Sequence, residues 1–256
     1  MEFIDQLGRR IFLENFPQRI ISLVPSQTEL LVDVGLDDRL VGVTKFCVHP
    51  SRLKKSKTII GGTKNLRLQE IHNLQPDLII GNKEENEKDL ISRLEEHFSV
   101  WISDVSNLEE AKTMISGLGQ ITGTEKKATE IIHSIENNFN RPLNRKGRAI
   151  YLIWKNPIIV AGQGTFISAI MDWAGFENRV EEKRYPSFSE NELINLEPEY
   201  LLLSSEPYPF KESDVAYFQK ILPNTHVLLV DGEYFSWYGS RLVKAGDYFH
   251  KLSDLQ

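Results

Sequence analysis

A chain of 256 residues has room for one large or two modest domains, and 41% hydrophobic with 26% charged residues is the balance of a globular protein with a packed core. A formal net charge of -6 argues against nucleic acid and anionic membrane as partners, because both reward a basic face. No apolar run approaches the about 20 residues of a membrane span, so membrane insertion is not expected, and the lone cysteine excludes an intrachain disulfide.

The opening stretch, "MEFIDQLGRRIFLENFPQRIISLV", is charged and shows no basic-then-apolar leader. The expected location is periplasmic or cell-surface if a leader has been removed, and cytoplasmic if Met1 is the native start. "RIISLV" (19–24) is a β-rich apolar run. "PSQTELLVDVG" (25–35) carries apolar residues at helical spacing and closes on glycine, and "RLVGV" (39–43) predicts a second strand. Strands are predicted again at 57–62, 77–81 and 99–103, with helices at 66–76 and near 84–96.

From 107 to 148 the pattern changes. Ala128, Ile131, Ile132, Ile135 and Phe139 line one face of a helix over 122–139, ended by "NRP". A flexible linker would be rich in glycine or serine, so this one reads as a rod. Beyond it the first scheme returns. Strands are predicted at 148–154, 199–205 and 226–231, with helices in 162–175, 190–198 and 238–253. "GLDDRL" (35–40) echoes "GFENRV" (175–180), and "IHNLQPDLII" (71–80) echoes "LINLEPEYLL" (193–202), which suggests two related halves. The expected class is α/β: two Rossmann-like lobes with parallel sheets, over 1–120 and 147–256, joined by a long backbone helix over 121–146.

The motifs "RIISLVPSQTELLVDVGLDDRLVGVT", "NLQPDLII", the connecting helix and "FSENELINLEPEYLLLS", in this order, resemble the helical-backbone substrate-binding proteins of ABC importers, and most of all the cobalamin-binding receptors. The resemblance runs from about residue 5 to residue 253. It implies a ligand held in a cleft between lobes, binding rather than catalysis, no cofactor, and an ABC permease as partner. The implied ligand is a metal chelate, a corrinoid first, with ferric siderophore or haem as alternatives. In the cobalamin receptors one glutamate per lobe docks on the permease; here those positions hold Gln69 and Asn191, leaving Glu70, Glu190 and Glu192 as candidate docking residues. That departure keeps open a cytoplasmic chelate-binding protein without a permease. By the same resemblance Phe46, Trp154 and Tyr185 fall at ligand-facing positions, with core packing the alternative for Trp154.

Ligands of open parallel sheets sit beyond the carboxyl ends of the strands. In "VPSQTE" (24–29), Ser26 and Glu29 have capping-box spacing, and the alternative is a set of free backbone N–H groups facing an anionic part of the ligand. "TKFCVHP" (44–50) sets Cys47 two residues before His49. A divalent metal site needs three or four ligands, and a nucleophile needs an oriented base; nothing nearby supplies either. Cys47 and His49 are therefore read as the wall of a binding loop or as an inert loop, with His49 a candidate axial ligand to a bound macrocycle. "DGEYFSWYGSR" (231–241) packs Tyr234, Phe235, Trp237 and Tyr238 ahead of Arg241, with neither helical nor strand periodicity. Rings and one arginine at a strand end suit a flat ligand with polar substituents, or else an exposed helix-end salt bridge accounts for the arginine. No dinucleotide fingerprint, phosphate-binding lysine loop or nucleophile elbow is present, so no enzymatic activity is expected.

Overall fold

The computed structural model describes residues 1–254. The chain falls into two compact units. The first holds Met1–Val105, Glu109–Ile135 and Tyr238–Val243; the second holds Ser106–Leu108, Glu136–Trp237 and the described residues from Lys244 to Asp254. The excursion of Tyr238–Val243 into the first unit is absent from the simple two-lobe division expected from the sequence.

The first unit opens with a hairpin, β1 (Glu2–Ile4) and β2 (Arg10–Phe12). There follow β3 (Ile20–Ser22), α1 (Pro25–Asp33), β4 (Leu40–Val43), α2 (Leu53–Ser56) and β5 (Thr58–Ile59). A short ribbon, β6 (Gly61–Gly62) and β7 (Asn65–Leu66), leads to α3 (Leu68–Leu74), β8 (Leu78–Asn82), α4 (Lys88–Glu95) and β9 (Val100–Ser103). The main sheet has the order β5-β4-β3-β8-β9, and every pairing in it is parallel. Strands β3 and β8 are buried on both faces, which is why their sequences read as unbroken apolar runs. The strand order reverses between β3 and β8, so connections diverge there, the position at which open parallel sheets bind their ligands.

Two helices, α5 (Leu108–Thr122) and α6 (Glu125–Asn138), stand where one long helix was expected. The break falls at Gly123, whose φ of 72° is left-handed. Gly119 lets the two helices close on each other, since a Cβ there would lie 2.6 Å from that of Ala128. Residues 139–146 are not helical, and the division between the units falls inside α6, between Ile135 and Glu136.

The second unit contains β10 (Gly147–Trp154), β11 (Ile158–Val160), α7 (Phe166–Trp173), β12 (Phe176–Asn178), β13 (Ser187–Phe188) and α8 (Glu190–Asn195). It continues with β14 (Tyr200–Ser204), α9 (Glu212–Ile221), β15 (His226–Val230), α10 (Gly232–Ser236) and α11 (Leu242–Asp254). The final helix thus begins at Leu242, not at 238. The sheet order is β13-β11-β10-β14-β15, with β12 beside the first residues of β10. Strands β10, β12, β14 and β15 are parallel, whereas β11 and β13 run antiparallel. Only Lys155, Asn156 and Pro157 separate β10 from β11, enough for a hairpin but too few for a crossover. Ile150, Leu152, Leu201, Leu203, Phe210 and Phe218 form the centre of this unit's core.

The echoes seen in the sequence reappear as shared backbone geometry. Gly35 and Gly175 have φ of 93° and 88°, and each leads toward the strand that pairs in parallel with the first strand of its sheet. Gln75 and Glu197 both have φ of 45°, each just before a proline. The next residue then binds the strand entering the sheet. Asp77 N donates to Arg19 O at 2.8 Å and its carboxylate accepts from Arg19 N at 2.9 Å, while Glu199 N donates to Arg148 O at 2.9 Å and its carboxylate accepts from Arg148 N at 3.3 Å. A left-handed conformation is unfavourable for a residue with a Cβ, so both positions are held by their surroundings. Gln75→Gly and Glu197→Gly are each expected to stabilise the protein by about 0.5–1 kcal/mol, read as a higher urea midpoint at unchanged slope.

Candidate functional site

In the first unit α1 starts directly after β3, with Val24 as its N-cap and Pro25 at the first helical position. Ser26 therefore lies inside the helix, its buried hydroxyl has no hydrogen-bond partner, and the expected capping box does not form. Glu29 is on the next turn. Its carboxylate takes Arg241 in a two-point pair, accepting from Nε at 2.9 Å and from Nη2 at 2.7 Å. Both side chains are largely buried. Burial pushes the Glu29 carboxyl above its ordinary value; Arg241, and to a smaller degree His49, pull it back. Arg241, read from the sequence as part of the aromatic run, thus ends on Glu29, 212 residues earlier in the chain.

After β8, Asn82 folds the chain over itself. Its side-chain oxygen accepts from Glu84 N at 2.8 Å and Glu85 N at 3.2 Å, and Asn86 Oδ1 accepts from Asn82 N at 2.8 Å. This loop presents Glu85, whose carboxylate accepts from the Tyr238 hydroxyl at 2.7 Å. Between these points Gly239 lies so close to α1 that a Cβ would sit 2.7 Å from Ser26 O. The segment carrying Tyr238 and Arg241 is thereby fastened across the carboxyl ends of β3 and β8.

The loop 44–50 splits into exposed and interior parts. Phe46 is 49% exposed, with Lys45 Nζ 4.9 Å from its ring centroid. Cys47 is fully buried, which corrects the expectation that it lines a binding surface. Its sulfur lies 3.0 Å from Thr28 Oγ1 and 3.3 Å from Thr44 Oγ1, and burial pushes the thiol's pKa up, so it is held as a neutral group in a polar layer of the core. Among the described residues no group of three or more histidine, cysteine or acidic side chains is arranged to hold a metal ion.

In the second unit Trp154 closes β10, is 39% exposed, and donates its indole N–H to Asn156 O at 3.0 Å. Tyr185, also 39% exposed, sits two residues before the edge strand β13, not at the carboxyl end of a parallel strand. The aromatic run divides. Tyr234 stacks on Tyr248 with centroids 4.6 Å apart. Phe235 is fully buried, 5.0 Å from Tyr151 and 4.9 Å from Phe249 between ring centroids, so it is a core residue and does not face a ligand. Trp237 is buried and donates Nε1–H to Glu206 Oε1 at 2.7 Å, and the Ser236 hydroxyl reaches the same oxygen at 2.9 Å. Tyr151 OH donates to Ser204 Oγ at 2.9 Å, and Ser204 in turn bonds the Glu206 carbonyl. Burial pushes the Glu206 carboxyl above its ordinary value of 4.5; the two donors oppose this and Glu233 and Asp231 add to it.

The sequence shows Glu29 only as a helix-start residue and does not single out Glu85 or Glu206. Glu85 and Glu206 follow the carboxyl ends of β8 and β14 by three and two residues, and Glu29 lies on the helix that follows β3, so acids near strand ends are the signal that points to them.

The candidate docking acids are differently engaged. Glu70 is half-buried on α3. Glu190 accepts from the Tyr217 hydroxyl, and Glu192 is spent in a capping box, accepting from Ser189 N at 2.6 Å and Ser189 Oγ at 2.7 Å.

Because Glu206 holds its proton more tightly when folded, its contribution to stability is greatest at low pH and declines as pH rises from 4.5 through its raised folded value. Glu206→Gln keeps an acceptor for Trp237 and removes the charge. The variant is expected to unfold at higher urea than the parent at pH 8, with the difference closing toward pH 4.

Residues 20–219 match the family described as periplasmic binding protein. A vitamin B12-binding protein of Vibrio campbellii is 28% identical over 197 residues, which is 73% of this chain and 70% of that one. An uncharacterized ABC transporter substrate-binding lipoprotein of Bacillus subtilis is 23% identical over 213 residues, 77% of this chain and 67% of that one. A periplasmic haem-binding protein from Pseudomonas aeruginosa superposes with a TM-score of 0.80 at 21% identity, covering 92% of each chain. With residues 20–219 matching the family's pattern, the chain belongs to the periplasmic binding proteins.

Proposed function

We propose that this chain is the substrate-binding protein of an ABC-type importer and that it captures a metal chelate, a corrinoid before haem or a ferric siderophore. The observation that carries the reading is that two large rings are left exposed at the carboxyl ends of main-sheet strands, Phe46 just after β4 and Trp154 at the end of β10. An exposed ring stacked on a flat ligand contributes about 0.5–1.5 kcal/mol beyond the area it buries. The B12-binding and ABC-transporter relatives support the ligand class and the importer. His49 is the candidate axial ligand to the chelated metal, and Tyr185 is a second if the ligand is haem. The protein acts outside the cytoplasmic membrane, where it delivers its ligand to a permease, with Glu70 and Glu190 the docking acids and Glu192 held in the capping box beside them; no helix among the described residues is long and apolar enough to cross a membrane.

A second reading, a chelate-binding protein without a permease, is favoured by two details: Gln69 is bonded to Asn73 at 3.1 Å, and the Glu192 carboxylate is occupied at Ser189. A leader-coding segment in the native transcript would count against it.

Titration with cyanocobalamin or cobinamide is expected to quench tryptophan fluorescence saturably, and Trp154→Ala to weaken binding about five- to tenfold. Calorimetry that registers no heat with any corrinoid would remove the corrinoid assignment, and haem and ferric chelates would be titrated next.

A further inference from the structure

Arg241 is fastened to α1 just beyond the carboxyl end of β3, and its Nε–Nη2 edge is already taken. Nε and Nη2 form one planar edge of a guanidinium, the edge that a carboxylate engages with both oxygens, and here both positions go to Glu29 at 2.9 and 2.7 Å. A carboxylate on a ligand would have to displace Glu29, leaving a largely buried carboxylate without its cation, or would have to approach beside it. A second carboxylate, Glu85, lies on the Tyr238 hydroxyl three residues before Arg241 in the chain. An amide carries no net charge and meets neither penalty.

We propose that Glu29 is a specificity residue: by occupying the carboxylate-binding edge of Arg241 it selects a chelate with a neutral, amide-bearing periphery over one bearing peripheral carboxylates. This rests on the chelate reading and narrows it. Glu29 was legible only as helix punctuation, because its partner stands 212 residues later in the chain.

The test compares two ligands that share one macrocycle. Dicyanocobinamide carries side-chain amides, and the same corrin with those amides hydrolysed carries carboxylates. Affinities are measured by fluorescence quenching at fixed ionic strength for the parent, Glu29→Gln and Arg241→Lys, with urea unfolding of each variant to show that it is folded. The parent is expected to bind the amide form at least tenfold more tightly. Glu29→Gln, which frees the guanidinium from its anion at nearly constant shape, is expected to cut that ratio at least threefold by strengthening binding of the hydrolysed corrin. Arg241→Lys retains the pair's charge balance but not its two-point geometry, and is expected to keep the preference. A parent that binds both corrins equally, or a ratio that Glu29→Gln leaves unchanged, overturns the role of Glu29 while the chelate reading stands. A parent that binds haem and neither corrin does the same. A parent that binds no chelate overturns both.

Discussion

A guanidinium taken largely out of water needs a fixed acceptor, and Arg241 finds it in Glu29, 212 residues earlier in the chain. The pair pins a six-residue excursion, Tyr238–Val243, to the first unit although the residues on either side belong to the second. Breaking such a pair from one side strands a charge and costs up to about 3–5 kcal/mol when burial is complete, less here because both groups keep some exposure. The glycine at 239 permits the approach, and Glu85 adds a second tie through Tyr238. The start of α1 is subordinate to this geometry. With Pro25 at its first position and Ser26 inside its first turn, the helix leaves Glu29 free to serve Arg241 and not the helix end.

The parts of the fold legible in the sequence are those where local chemistry and burial agree. Strands β3, β8 and β14 are buried along nearly their whole length and show as apolar runs, and the paired turns before Pro76 and Pro198 show as a repeated phrase. The hairpin β1–β2 did not show, because Ile4 and Phe12 are exposed and three-residue strands give too little alternation. Helix α9 carried its signal in Val215, Phe218 and Leu222 at helical spacing, and went unread between a proline-rich loop and a strand. The antiparallel strands β11 and β13 were missed because their connections, not their composition, set their direction.

The candidate site was legible in its rings and not in their partners. A sequence displays the bulk of an aromatic residue but not the destination of its polar tip. Trp237 and Tyr238 are both buried, yet each spends its tip on a carboxylate from a distant loop, while Phe235, with no tip to satisfy, sinks fully into the core. The cysteine follows the same logic. Flanked by two threonine hydroxyls it satisfies its weak hydrogen-bonding needs inside the protein, and nothing in "FCVH" announces that Thr28 waits nineteen residues away.

The two halves share what the chain geometry demands and differ where it does not. Both use a left-handed residue, a proline and an acid to deliver a strand to the sheet, and in both the acid's carboxylate accepts from the backbone N–H of the residue that leads or lies in that strand. The beginnings of α3 and α8 carry no such constraint: one has no side-chain cap and a Gln69–Asn73 contact, the other a full capping box. The loops at the strand ends diverge further. The first unit places an asparagine-ordered turn, Glu85 and the Thr28–Cys47–Thr44 layer there, whereas the second places the Tyr151–Ser204 relay and Glu206. A repeated scaffold thus presents two chemically different rims. The parallel strands beneath the two rims are alike, so what differs between the rims is carried by side chains on their loops.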